Sequence, residues 1–173
     1  MAEGKFPLGK GRGLSREELD EFLRETTAFV FIGTSGEDGW PAVNPAWYEY
    51  DGDAFWIVTK ELTGFCQNLR RDPRCTLCIA SPQPPYKRVI VRGEAEFVDG
   101  DWVEIGRRMV LRYLGSEGMD YFEATLELPR VLVRVRPIRV SSWNGGGVDR
   151  TFFKPSKWHE IEAGKSVADA ASS

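Results

Sequence analysis

The stretch YKRVIVRGEAEFV, residues 86–98, decides the fold class of this 173-residue chain. Apolar and charged side chains alternate along it, which is the pattern of a β-strand that buries one of its faces. The apolar positions are Val89, Val91, Ala95 and Phe97, and the charged positions are Arg88, Arg92, Glu94 and Glu96. The stretch therefore predicts a long strand of an antiparallel sheet, with its charged face at solvent or at an interface.

Shorter runs on both sides of this strand extend the sheet. Those rich in β-branched and aromatic residues predict strands over 26–34, 40–50, 54–59, 75–80 and 130–140. Tight turns join the first three into a meander. Helices are predicted to begin at Ser15 and to span 61–71, 101–114 and 117–128, before an irregular segment at 141–156 and a short strand at 158–161. We therefore expect a mainly β fold with helices (β+α), a closed six-stranded antiparallel barrel with flanking helices.

The length favours a single domain. That domain is expected over residues 14–163, between disordered ends at 1–13 and 164–173. No apolar run is long enough for a transmembrane helix, and the first residues lack the apolar region of a signal peptide. We therefore expect a cytoplasmic protein without a membrane partner.

The charge balance and the scarcity of histidine exclude several classes of protein. Lys and Arg number 23 and Asp and Glu number 26, a net charge of −3 that argues against nucleic-acid binding. His159 is the only histidine, so a Ser-His-Asp triad has one candidate base. Cys75 and Cys78 lie three apart on a predicted strand, where their thiols point to opposite faces, and Cys66 lies on a predicted helix. We therefore expect structural thiols and no metal site.

Tryptophan is frequent, with six in the chain. Four of them lie at strand edges or in irregular segments, and these are Trp40, Trp47, Trp56 and Trp143. Flat amphipathic rings stack on flat ligands, so they suit a planar heteroaromatic molecule. The alternative is that they pack in the core or at a dimer interface.

The order of segments resembles the pyridoxamine 5′-phosphate oxidase-like split β-barrel, the superfamily of flavin and deazaflavin oxidoreductases. The resemblance covers residues 14–140 and is carried by LSREELDEFL, a DG-x-P turn, NPAWY, FWIVTK, NLRRDPR and YKRVIVRGEAE, in that order. NLRRDP, between the third and fourth predicted strands, is its most specific element. The resemblance implies a split barrel and a homodimer with cofactor sites between the subunits. It also implies that residues 14–163 form a flavin-binding domain.

The family's cofactor is usually FMN, and its phosphate lies near the end of the third strand and the start of the next helix. The C-terminal WNGG with a downstream Arg150 also resembles the Trp-Gln-Gly-Gly…Arg segment of pyridoxamine phosphate oxidase itself. Together these likenesses imply a cofactor set of Pro45, Ala46, Trp47, Ile57, Val58, Thr59, Lys60, Thr63, Gly64, Phe65, Arg88, Trp143, Asn144 and Arg150. No catalytic side chain is assigned, since the flavin itself would carry the hydride.

The sequence departs from the family at the start of this helix. Family members commonly have an Arg-Lys pair where this chain has Gly64-Phe65. Charge-assisted hydrogen bonds are the stronger ones, so other cations would have to compensate, or the site prefers another ligand. The candidates are Lys60, Arg70, Arg71, Lys87 and Arg88.

The expected function is therefore that of an FMN-binding oxidoreductase that transfers a hydride or electrons to an unidentified small substrate. The alternatives are a deazaflavin-dependent reductase and a non-catalytic protein that binds flavin or haem. Haem is the less expected ligand, because His159 is the only histidine that could serve as its axial ligand.

Overall fold

The computed structural model describes residues 13–145, and the elements below are those of this range. Its helices are α1 (Arg16–Glu25), α2 (Gly64–Arg71), α3 (Trp102–Leu114) and α4 (Met119–Ala124). Its strands are β1 (Val30–Ser35), β2 (Pro41–Ala46), β3 (Glu49–Tyr50), β4 (Phe55–Lys60), β5 (Arg74–Ala80), β6 (Lys87–Val98) and β7 (Arg130–Asn144). The expected strand at 158–161, Arg150 and His159 lie outside the described residues, as do the ends expected to be disordered, apart from Gly13.

All seven strands form one antiparallel sheet in the order β2-β1-β5-β6-β7-β4-β3, which curls into a half-barrel. The expected β+α split barrel is confirmed, but a closed barrel of six strands is wrong. Residues 40–50 form two strands, because the chain leaves the sheet at Trp47 and Tyr48. The first half pairs with β1 and the second half with β4, so this run connects the two edges of the sheet.

The start of β1 also differs from the prediction. The run from residue 26 was expected to be extended throughout, but the strand begins only at Val30. Thr26 caps the C-terminus of α1 through its N–H to Phe22 O, and its hydroxyl accepts a hydrogen bond from the N–H of Ala28. This local turn uses the backbone that would otherwise pair with a neighbouring strand.

One continuous core fills the concave side of the sheet. Val89, Val91 and Ala95 of β6 are buried in it, which confirms the alternation of residues 86–98. Helix α1 begins with the predicted capping box, in which Ser15 and Glu18 bond reciprocally. Both α1 and α2 add apolar side chains to this core, namely Leu19, Phe22, Leu23, Phe65, Cys66 and Leu69.

Strand β7 continues four residues beyond the predicted end. Residues 141–144 were expected to be irregular, yet they pair with β6 as far as Lys87 and Asn144. The helix predicted over 117–128 is shorter in the structure. A 3-10 turn at Ser116–Gly118 comes first, and the six residues of α4 follow it. None of the described helices is long and apolar enough to span a bilayer.

Candidate functional site

An aromatic cleft forms where β2 leaves the sheet. The ring of Trp47, directly after β2, stacks on Tyr113 of α3 with centroids 5.0 Å apart and planes at 10°. Phe29, directly before β1, also stacks on Tyr113 at 6.1 Å. The Tyr113 hydroxyl donates to Ala28 O at 3.1 Å, which ties α3 to the chain entering β1. Trp47 is therefore held in a fixed plane.

Two neighbouring cavities share the side chains of Trp47 and Tyr121. The outer cavity, of about 280 Å³, is lined by Phe29, Pro45, Ala46, Trp47 and Tyr121. The inner cavity, of about 90 Å³, lies under α3 and α4 and is lined by Trp47, Val58, Trp102, Gly106, Met109, Val110, Tyr121, Phe122, Thr125 and Arg130. Four residues of the predicted cofactor set thus lie around these two cavities, namely Pro45, Ala46, Trp47 and Val58. Such a cleft suits a flat ring system.

A partly buried ion pair supports the aromatic wall. Glu49 accepts contacts from Arg112 at 3.7 Å and from Arg108 at 3.4 Å. The Arg112 guanidinium lies 4.6 Å from the ring centroid of Tyr48 and 5.1 Å from that of Tyr113. Burial raises the pKa of both tyrosines above the ordinary value, so their hydroxyls stay protonated and act as hydrogen-bond donors. This network orients the aromatic wall.

The junction of β4 and α2 is the predicted phosphate site. Thr63 is the N-cap of α2, but its hydroxyl donates to Lys60 O at 3.1 Å and leaves the first amides of the helix uncapped. A Cβ built on Gly64 meets nothing within 4 Å, so the helix start is open. Ile57 and Phe65 are buried in the core and can offer only backbone groups there.

Three of the basic side chains proposed to compensate for the missing Arg-Lys pair interact with other parts of the protein. Arg70 pairs with Glu61 at 2.8 Å, and Arg71 donates to Ser35 O at 2.7 Å. Lys87 lies near the ring of Phe22 of α1. These three side chains therefore have structural partners.

Lys60 has a different neighbour, which sequence reasoning missed. It lies opposite Arg130 in the β4–β7 register. The Arg130 Nε is buried without a hydrogen-bond partner, and its guanidinium lies 5.5 Å from the ring centroid of Trp102. Neither side chain has an ion pair within residues 13–145. Like charges directly opposite each other destabilise a sheet, so an anion bound between these two side chains would relieve their repulsion. Only the strand register could reveal this pair.

The remaining predicted residues lie at the other end of β7. Arg88 pairs across the ladder with Trp143, and its guanidinium is 6.0 Å from the ring centroid. Trp143 follows Arg130 by thirteen strand residues, a span on the order of 40 Å. Within one chain, Arg88, Trp143 and Asn144 are therefore not brought to the cleft.

Two of the four tryptophans expected to stack on a ligand have other surroundings. Trp56 donates from Nε1 to Asp51 at 2.7 Å and lies 5.5 Å from the guanidinium of Arg134. Trp40 is 74% exposed and follows the turn between β1 and β2. Residues 13–145 hold no cluster of three or more potential metal ligands.

Comparison with known proteins gives a family and several structural relatives. The family described as Pyridoxamine 5′-phosphate oxidase matches residues 15–144. The conserved hypothetical protein Rv2991 from Mycobacterium tuberculosis is 27% identical with a TM-score of 0.67, covering 79% of this chain and 89% of that one. An F420 reductase is 26% identical with a TM-score of 0.57, covering 70% and 94%. No curated protein matches.

A more distant structure shares the fold alone. HutZ, a haem storage protein from Vibrio cholerae, is 16% identical with a TM-score of 0.58, covering 76% of this chain and 95% of that one. The same architecture therefore occurs in proteins whose ligands differ.

Proposed function

Because the chain belongs to the pyridoxamine 5′-phosphate oxidase family, we propose that it is an oxidoreductase that binds a flavin-type cofactor at the split of its sheet. One observation supports this most strongly: the aromatic cleft at Trp47 lies beside two unpaired cations, Lys60 and Arg130. A flavin-type ring, when bound, supplies hydride transfer. The protein then has to bind, orient and shield that ring, and a chain without an assigned general base can do so.

The outer cavity is the proposed place for the ring. Pro45, Ala46 and Trp47 form one wall, and Phe29 and Tyr121 complete the lining. Stacking on Trp47 requires little reorganisation, because Tyr113 already holds the indole plane. Exclusion of water from such a cleft strengthens polar contacts to the bound ring.

The junction of β4 and α2 is the proposed place for the anionic end. Lys60 and Arg130 supply two positive charges, and the uncapped amides at Gly64 and Phe65 supply N–H donors at a helix N-terminus. The buried, unpartnered Nε of Arg130 gains an acceptor there. These residues fit a phosphate without the family's Arg-Lys pair.

FMN is the cofactor expected from the sequence, and the deazaflavin F420 is the second candidate. The likeness to an F420 reductase, at 26% identity over 94% of that chain, favours the second. Lys60 and Arg130 can pair with the phosphate of either cofactor.

A homodimer is part of the same proposal. Trp143 lies at the end of β7 opposite to Arg130, and Arg88 of β6 pairs with it across the ladder, so one chain cannot bring them to its own cleft. A second copy can, which agrees with the family's subunit-interface sites. Light scattering that gives a monomer at micromolar concentration would contradict this part.

Titration with FMN and with F420, followed by fluorescence, tests the cofactor. We expect one of them to bind with Kd in the micromolar range or below. The double variant Lys60→Gln, Arg130→Gln should bind at least tenfold more weakly, since a hydrogen bond to a charged group contributes about 1.5–3 kcal/mol. Arg74→Gln is the control, because Arg74 is an exposed arginine at the start of β5 that pairs with Asp72 and lines neither of the two cavities. Unchanged affinity in the double variant, or no binding of either cofactor, contradicts the proposal.

A further inference from the structure

A β-bulge changes which side chains of β7 face outward. The β6–β7 register pairs Arg92 with Arg139 and then Gly93 with Pro137, so Ile138 is an extra residue. Before the bulge, the residues of β7 that face the core have odd numbers, as Val135 does. After the bulge they have even numbers, as Val140 does. Without the extra residue, Arg139 would point into the core. Bulges commonly re-aim a side chain in this way beside functional sites.

The bulge places two arginines side by side on the outer face. Arg92 and Arg139 are direct cross-strand partners, and both are exposed. Neither makes a hydrogen bond or ion pair with any residue of 13–145. Two like charges directly opposite each other destabilise a sheet. The fold therefore brings an unfavourable pair together without a compensating carboxylate.

Two cavities adjoin this pair, and neither has an unpaired carboxylate in its lining. One cavity of about 290 Å³ is lined by Ile90, Arg92, Arg139 and Ser141. A second, of about 630 Å³, adjoins the same two arginines. Its lining contains a single carboxylate, that of Asp72, which Arg74 holds at 2.7 Å. The charge of Asp72 is thus already neutralised by its own partner.

We propose that Arg92 and Arg139 form an anion-binding site for a small molecule with two adjacent oxyanionic groups, such as a pyrophosphate or a dicarboxylate. Guanidinium groups bind such oxygens through two parallel N–H donors each. Cross-strand Cβ atoms lie about 5 Å apart, so two guanidinium groups reach two neighbouring anionic groups. The Ser141 hydroxyl in the same cavity adds a neutral donor.

Within one chain the site lies apart from the cofactor cleft. Arg139 follows Arg130 by nine residues along β7, a distance of roughly 25–30 Å, and lies next to β6 instead of β4. Arg92 and Arg139 share their face of the sheet with Arg88 and Trp143, which the proposed homodimer brings to the partner's cleft. The test therefore includes cofactor binding by the double variant.

Calorimetric titration with inorganic pyrophosphate, at constant ionic strength, tests this site. We expect the protein to bind pyrophosphate with Kd below about 1 mM. The double variant Arg92→Gln, Arg139→Gln should lose at least tenfold in affinity for pyrophosphate. The control is Arg107→Gln, which changes an exposed arginine of α3 and should bind as the parent does. Without the anion, the double variant should melt at the same temperature or higher, because the repulsion is removed.

Four results would overturn the proposal. In the first, chloride at equal ionic strength stabilises the parent as much as pyrophosphate does. In the second, the double variant keeps its affinity for pyrophosphate or melts lower without it. In the third, it also loses FMN or F420 binding, which would assign the arginines to the cofactor site. In the fourth, substitution changes a dimer into a monomer, which would assign this face to contact between two copies.

Discussion

Removal of one hydroxyl group at Tyr48 should destabilise the whole fold. Tyr48 is fully buried in the connection between β2 and β3, and its hydroxyl donates to Leu23 O at 2.9 Å. Leu23 lies in the last turn of α1, where carbonyl groups have no intrahelical donor. The bond therefore joins the end of a helix to the segment that holds Trp47.

The loss of unfolding free energy in Tyr48→Phe can be derived from the contacts that the phenyl ring keeps and the hydrogen bond that it loses. The phenyl ring can still contact Phe55, 5.7 Å away between centroids, so little apolar burial is lost. The Leu23 carbonyl is left buried without its donor, which costs about 1–3 kcal/mol. For a chain of this length 1 kcal/mol changes Tm by about 2–4 °C, so a loss of about 2 kcal/mol lowers Tm by about 4–8 °C.

Urea unfolding followed by tryptophan fluorescence measures the effect, and the slope with denaturant should stay unchanged. Tyr86→Phe is the matched control, since Tyr86 is 47% exposed and its change should stay within about 0.5 kcal/mol. If Tyr48→Phe and Tyr86→Phe unfold at the same urea concentration, the helix end does not depend on Tyr48 and the reasoning is wrong.

Two further predictions concern titration and thiol reactivity. Burial alone would raise the pKa of Asp51, but hydrogen bonds from Trp56 Nε1 and two backbone N–H groups hold that pKa below its ordinary value. A carboxylate with a lowered pKa in the folded state stabilises the fold above about pH 4, and this stabilisation is lost as the pH falls. Asp51→Asn should therefore flatten the decline of Tm between about pH 5 and pH 3. A decline as steep as that of the parent contradicts this prediction. Burial raises the pKa of Cys75 to about 12 and also raises that of Cys66, while Cys78 is half-buried. A disulfide reagent should therefore label one thiol of the folded protein, identified by mass spectrometry as Cys78, and label all three only after unfolding.

Local patterns were enough to predict most elements of the fold. The alternation along residues 86–98, the capping box from Ser15 to Glu18 and the polar stop at Asp72-Pro73 each depend on a few neighbouring residues. The resemblance to the family predicted that Pro45, Ala46 and Trp47 share a site, and these three consecutive residues line one cavity.

Relations between distant residues were decided only by the tertiary structure. The opposition of Lys60 and Arg130 depends on the β4–β7 register, and the meeting of Arg92 with Arg139 depends on one extra residue in β7. A shift of a single residue in either strand would turn these side chains to the other face. The alternating sequence fits several registers almost equally well, and burial of one common core selects among them. The sequence by itself therefore determined which segments are strands, whereas the packed sheet decided which charges face each other.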